Sequence, residues 1–299
     1  HGTTHDTTHD IAHGAAHGAS DARSTASTYD SIYATTYAST YTPANAASDV
    51  DRFEPTPAAA LTRLNQVRPR EYPDSRNHLR GAVTRLSPYI THGFMTVPDV
   101  ITSLRARHHL GPRHKLVFEL AWREYFRHVW KHEGDGIFAS LHQGPLPDDA
   151  YTPEVPADVR QARTGLAVID MAVRTLYATG YLHNHARMWL ASYLVHMRKV
   201  HWRTGADWLY AHLLDGDLAS NHLSWQWIAG TASHRPYLFN AENVLRYAPH
   251  DWQVLGSVLD QSYNALEALA RDASARLPAG AAQGGGHVEE PPLLHAPLL

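Results

Sequence analysis

The residue types that can do chemistry fall into four short segments. Glu119 and Arg123 stand one helical turn apart in Glu119-Leu120-Ala121-Trp122-Arg123-Glu124-Tyr125. Alone, such a pair reads as a solvated i,i+4 ion pair. Thr84-Arg85-Leu86-Ser87-Pro88-Tyr89 offers hydroxyls and amides in a loop before a helix, which suits a phosphate. Asn184 and Met188 share a helix face in Tyr181-Leu182-His183-Asn184-His185-Ala186-Arg187-Met188, with Arg187 beside them. Asp215-Gly216-Asp217 runs through Asn221 into Trp225-Gln226-Trp227. Two Asp around a Gly usually mark a turn, and a Trp-x-Trp pair usually means packing.

The elements that must position these residues read as helices. Val97–Arg107, His114–Lys131 and Thr164–Thr179 carry apolar residues at helical spacing, as do His185–Val200, Ala206–Leu214, Leu218–Ala229 and Asp251–Ala275. Thr164 is expected to cap the third and Gly180 to end it. There is no alternating strand pattern, no strand–GxGxxG–helix unit and no P-loop. The fold class expected is all-α, a multi-helix domain over residues 56–277.

The flanks differ in kind. Residues 1–55 open on His1, His5, His9, His13 and His17, followed by Tyr29, Tyr33, Tyr37 and Tyr41, in a Thr/Ala/Ser/Gly background. Such a repeat buries too little to fold alone and is expected to be a disordered tail rather than a metal site. Residues 278–299 are rich in Gly and Pro and are expected to be a second tail.

Composition narrows the classes. The chain has 299 residues and no Cys, which excludes disulfides, thiolate-bound metals and a cysteine nucleophile. No apolar run is long enough to cross a membrane, no signal-peptide plan is present, and no metal site is expected, so a cytoplasmic protein is expected. The net charge of −3 argues against nucleic acid, yet residues 61–250 hold 19 Arg and 3 Lys against 16 acidic residues. A body with a surplus of six positive charges is compatible with a phosphate backbone, and is also ordinary for its size.

Taken together and in order, LSPYITHG, ELAWREYF, TGLAVID, YLHNHARMWLASYL, HWRTGADWL and DGDLASNHLSWQWIAG resemble the successive motifs of the flavin-binding helical domain of the DNA photolyase/cryptochrome family. The resemblance covers roughly residues 70–240. It implies an FAD held in a bent shape, with Tyr72, Thr84 and Ser87 at its phosphates and Arg123 lining its cavity. It implies Arg187 and Asp215 paired near the ring system, Asp217 at a flavin or ribose polar group, and Asn221 facing N5. Fixed polar groups of this kind tune a bound flavin. Further, it implies that Glu119, Trp122, Asn184, Met188 and Trp227 receive a pyrimidine dimer flipped out of damaged DNA, since aromatic faces hold unstacked bases. Asn184 and Met188 match the branch that splits cyclobutane dimers by light-driven electron transfer from reduced flavin.

Trp225 and Trp202 match the inner and middle members of that family's electron-carrying Trp chain; Leu146–Arg163 offers Tyr151 but no Trp for the outer place. Residues 1–60 do not read as the family's α/β antenna domain, so an antenna chromophore is expected to be absent. A cryptochrome-like photoreceptor or redox flavoprotein without repair is the alternative the same resemblance leaves open.

Overall fold

The computed structural model describes residues 52–280 and 287–292. The His and Tyr repeats therefore lie outside the described residues.

Among the described residues the architecture is helical throughout, with no strand beyond one isolated parallel bridge between Thr152 and Val200. The principal helices are α1 (Pro57–Asn65), α2 (Ser87–Thr91), α3 (Val97–His108), α4 (Lys115–Glu133) and α5 (Ala167–Thr179). They continue as α6 (Asn184–Ser192), α7 (Trp202–His212), α8 (Leu218–Ala229), α9 (Ala241–Tyr247) and α10 (Tyr263–Arg271). The all-α expectation is met.

The main core is built on α5 to α8. Val168, Ile169, Ala172, Val173 and Leu176 form one buried stripe of α5. Each larger aliphatic among them contributes about 1.5–3 kcal/mol by leaving water. Gly180 ends α5 in the left-handed region, at φ 65°, where its missing Cβ makes the turn easy. α6 and the π-turn Tyr193–Met197 that follows it are almost wholly buried. α7 and α8 pack along each other. A second core joins α1, α2, α3 and the first half of α4 through residues such as Leu64, Leu86 and Leu104.

Several local expectations are corrected. Thr164 does not cap α5: its amide and hydroxyl donate to Asp170, at 2.8 Å each, while Leu166 holds the cap position. Asp170 thus reaches back to tie the preceding loop. α7 starts earlier than expected, at Trp202, because the His201 ring accepts from the Arg203 amide and caps it. The stretch expected as one helix over 251–275 is a 3-10 turn, His250–Trp252, an irregular loop, and then α10. α1 and α9 escape the periodicity, being only 9 and 7 residues long. Of the expected C-terminal tail, the described residues 287–292 include a buried Val288, whose amide donates to Gln161.

Two buried cations knit the far end of the chain to the core. Arg198 makes a bidentate pair with Asp158, at 2.7 and 2.9 Å, and also donates to Tyr193 Oη. The guanidinium holds the Asp158 carboxyl below its usual range against the opposing effect of burial. Lys199 is fully buried and donates to the carbonyls of His196, Leu269 and Ala270. Burial pulls its ammonium down to about 8.

Removing one partner of a buried ion pair strands the other charge. Arg198→Met is therefore expected to cost about 3 kcal/mol of stability, measured as a lowered urea midpoint at unchanged slope.

Candidate flavin and substrate site

Asp215 organises the site. It is buried at 1% exposure, between α7 and α8. Arg187, on the first turns of α6, donates one nitrogen to both its oxygens, at 2.9 and 2.8 Å. Arg187 Nε is anchored in turn on the Leu182 carbonyl at 2.7 Å, and its guanidinium lies 5.5 Å from the Tyr181 ring centroid. Ser87, at the start of α2, donates to Asp215 Oδ2 at 2.6 Å. The backbone around Asp215 is held as well: Thr91 donates to the Asp215 carbonyl, and His92 Nε2 bonds to the Leu214 carbonyl at 2.8 Å. His92 therefore has a structural role that its sequence neighbourhood did not reveal. Ser87 donates its proton to Asp215 here and so helps to position that carboxylate, while still lining the second cavity.

Two cavities flank this node, and Asn184 lines both. The first has a volume of about 450 Å³ and is lined by Arg187, Met188, Asp215, Asp217, Asn221 and Trp225, among others. The second has a volume of about 680 Å³ and is lined by Tyr72, Thr84, Ser87, Glu119 and Asn184 with neighbours.

The polar groups in and beside these cavities have unused bonding capacity. Asp217 caps α8 by accepting from the Ser220 amide at 2.9 Å. Burial raises its carboxyl above the usual range, opposed by Arg123 and by Ser220. Ser220 lines the first cavity, and its buried hydroxyl lies against the Asp217 carboxylate. Arg123 is 1% exposed; its Nε and Nη1 are buried without hydrogen bonds, and its nearest carboxylate, Glu124, is 4.0 Å away. Burial brings its guanidinium down to about 10 despite the pull of Asp217 and Asp215. Asn221 donates to the Ala206 carbonyl at 2.9 Å while its side chain faces the first cavity. Orphaned donors this deep are costly unless a polar ligand meets them. A phosphate-bearing, carbonyl-rich cofactor supplies the missing acceptors, so the residues fit an FAD. Ser220 was missed from the sequence because a helical Ser after a capping Asp has no distinguishing pattern.

The expected substrate residues are brought only partly together. Glu119 lines the second cavity, with Lys115 Nζ 2.5 Å from one oxygen. Its other oxygen has no hydrogen-bond partner. Burial raises the Glu119 carboxyl, and Lys115 offsets part of the rise. Asn184 donates to Met188 Sδ at 3.6 Å, joining the two on one face of α6. Trp122 and Trp227 line neither cavity; both pack against a third cluster, Phe126, Ile137, Ala219 and Leu223. Tyr237 stacks near Trp227, at 5.8 Å between centroids.

Of the expected electron carriers, Trp225 is buried against Gly205 of α7, where an added Cβ would stand 2.3 Å from its ring. Trp202 is buried and donates to Ser140 at 2.9 Å. The His201 ring lies between Trp202 and Tyr151, at 5.8 and 6.3 Å from each. The loop beneath them is fastened by fully buried Gln226, which donates to Ile137 and Ala139 and accepts from Leu141.

Residues 116–251 match the family described as the FAD binding domain of DNA photolyase. Over these residues the chain carries a domain similar to the FAD-binding domain of the DNA photolyase/cryptochrome family. The chain is 34% identical over 164 residues to the deoxyribodipyrimidine photo-lyase of Streptomyces griseus, covering 54% of this chain and 36% of that protein. It is 33% identical over 215 residues to the cryptochrome DASH of Idiomarina loihiensis, covering 67% of this chain and 47% of that protein. Among solved structures, the cryptochrome of Synechocystis sp. PCC6803 superposes at a TM-score of 0.59 with 26% identity, covering 65% of this chain and 44% of that one. The archaeal photolyase of Sulfolobus tokodaii, solved with two FAD molecules, gives 0.55 at 26% identity over the same shares. The chain thus spans less than half the length of these relatives. FAD is the cofactor that the family and the unpartnered donors both call for. No described helix is long and apolar enough to cross a membrane.

Gly205→Ala drives a methyl into Trp225 and so into a wall of the first cavity. The expected result is a loss of about 1–3 kcal/mol in thermal stability together with reduced FAD uptake, followed by flavin absorbance after reconstitution. Asp215→Asn leaves Arg187 with a neutral partner and is expected to lower bound FAD at least several-fold without changing the far-UV circular dichroism.

Proposed function

We propose that this chain is a light-driven DNA repair protein that splits cyclobutane pyrimidine dimers, with residues 56–277 as its working unit. Bound in reduced form, FAD supplies a photoexcited electron to the dimer. The protein's own residues do the rest. Trp122 and Trp227 pack on one apolar cluster outside both cavity linings, and an unstacked base would have to reach the part of their rings left uncovered there. Asn184 stands at the junction of both cavities, so a base edge bonded to it lies beside the cofactor site. Arg123, Asp217, Ser220 and Asn221 hold the cofactor, and Arg187 with Asp215 fixes its edge. Trp225 and Trp202 pass electrons inward, and Tyr151 stands in the outer place.

Glu119 is the observation that carries this reading. A buried carboxyl with a raised pKa keeps its proton at pH values where an exposed Glu has lost it. Where it is protonated, the acid would donate a hydrogen bond to a base carbonyl and stabilise the added electron there, in competition with the Lys115 ammonium that favours the carboxylate. An oxygen of Glu119 without a partner in the second cavity is the group such a base would meet.

The test is reduced, FAD-loaded protein under blue light with an oligonucleotide containing one thymine dimer. Restored thymines, counted by chromatography, support the proposal. Intact dimers with full flavin loading overturn it in favour of a photoreceptor or redox flavoprotein without repair. That second reading is favoured by the long overlap with a cryptochrome DASH. A light-dependent change in oligomer size, without repair, would support it.

The acid role has a sign. The pKa of Glu119 is raised in the folded state, so the protonated form is lost as pH rises through that raised value. Repair yield is expected to fall with rising pH in the wild type. In Glu119→Gln, whose amide still donates, it is expected to stay flat and within about ten-fold of the wild type. Glu119→Ala is expected to lose about ten-fold or more.

A further inference from the structure

A second polar site lies on the outside of the helical body, away from both cavities. Glu290 Oε1 accepts from Trp208 Nε1 at 2.9 Å and bonds to His212 Nε2 at 3.1 Å. Its Oε2 accepts from Arg160 at 2.9 Å. Three nitrogen groups from two separate parts of the chain converge on one carboxylate. These partners hold the Glu290 carboxyl down at about 2 against the effect of burial. The His212 side chain is only 5% exposed, and the Tyr177 ring packs on it at 4.9 Å between centroids.

Two residues earlier, Val288 is buried in the main core and its amide donates to the Gln161 carbonyl at 3.0 Å. Pro291 and Pro292 follow. The bound segment is thus an extended peptide read at three points: an apolar side chain, a backbone amide, and a carboxylate two positions on. Alternate side chains supplying specificity, with the backbone supplying affinity, is how grooves recognise extended peptides. The segment is joined to the body through residues 281–286, AAQGGG, which offer no bulky apolar side chain of their own.

We propose that Arg160, Trp208 and His212 form a carboxylate-recognition site for extended acidic peptides, filled here in cis by the chain's own Val288–Glu290. The site takes a partner peptide with an apolar residue, any residue, then Glu followed by Pro. A tethered occupant competes with a partner at an effective concentration in the millimolar range. Exchange would take place on the outer face of α7, whose inner face gives Leu209 to the first cavity. The assignment stands independently of flavin and of repair.

The test uses full-length chains and an acetylated, amidated peptide of residues 287–292, HVEEPP, followed by calorimetry and by Trp fluorescence. In Val288→Asp/Glu290→Ala the resident segment is expelled. That chain is expected to bind the peptide about ten-fold or more tightly than the wild type does. Adding Arg160→Met, or replacing the second Glu of the peptide by Gln, is expected to return binding to wild-type weakness. A variant with wild-type circular dichroism that takes up no peptide overturns the proposal and leaves Glu290 as a fixed brace. Equal uptake of the Glu and Gln peptides also overturns it. If the double variant does not fold, Glu290→Gln, which keeps the shape and loses the charge, carries the same comparison. It is expected to bind the peptide several-fold more tightly than the wild type, and equality would overturn the proposal.

Discussion

A buried carboxylate must be neutralised and hydrogen-bonded, and the way Asp215 meets that demand sets the layout of the molecule. Its two oxygens take a guanidinium from α6 and a hydroxyl from α2, and its backbone takes Thr91. Three segments distant in sequence are thereby fixed to one point. The two cavities lie beside that point, with Asp215 in the lining of one and Ser87 in the lining of the other. Two nitrogens of Arg123 stay buried without a hydrogen bond beside this node. Such groups are costly inside a fold, and a polar ligand is one way to complete them.

The division between apolar and polar work follows the helices. α8 shows it best. It sits inside the body, with Ala219, Leu223, Trp225 and Ile228 buried alongside the polar His222 and Gln226. Its first turn nonetheless presents Asp217, Ser220 and Asn221, because a helix start has amides to cap. The capping Asp and the cofactor-facing residues are the same local feature seen from two sides. α4 shows the opposite arrangement. Leu116, Glu119, Leu120, Arg123 and Phe126 face inward, while Phe118 and Tyr125 stay exposed. Two of its five inward residues are charged, and they are the two that the site uses.

Much of this was legible in the sequence, and the pattern of success is physical. Helices α3 to α8 repeat apolar residues every three or four positions, so their existence followed from periodicity. The Arg187–Asp215 pair followed from the motifs. Other features depend on residues far apart. Ser87 and Asp215 are separated by 128 positions, and no local pattern says that a loop hydroxyl will meet a particular carboxylate. Thr164 has the right residue type for a cap, but Asp170 outbids the helix end for its protons by accepting both. The loop at 253–262 carries apolar residues at near-helical spacing, yet its buried Val254 and Leu259 are placed by tertiary contacts rather than by a helix. The short α1 and α9 have too few turns to show a period. The third cluster, which draws Trp122 and Trp227 away from the cavity walls, arises from packing that only the folded chain reveals.

Lys199 carries one more consequence. Its ammonium gathers carbonyls from the π-turn and from the end of α10, some 70 positions later in the chain. During synthesis that cation emerges long before its partners. Until α10 follows, a charge destined for the interior has to remain in water, and the π-turn that forms the floor of the core lacks its fastening. The fastening that Lys199 gives the π-turn is therefore complete only once the end of α10 has been added.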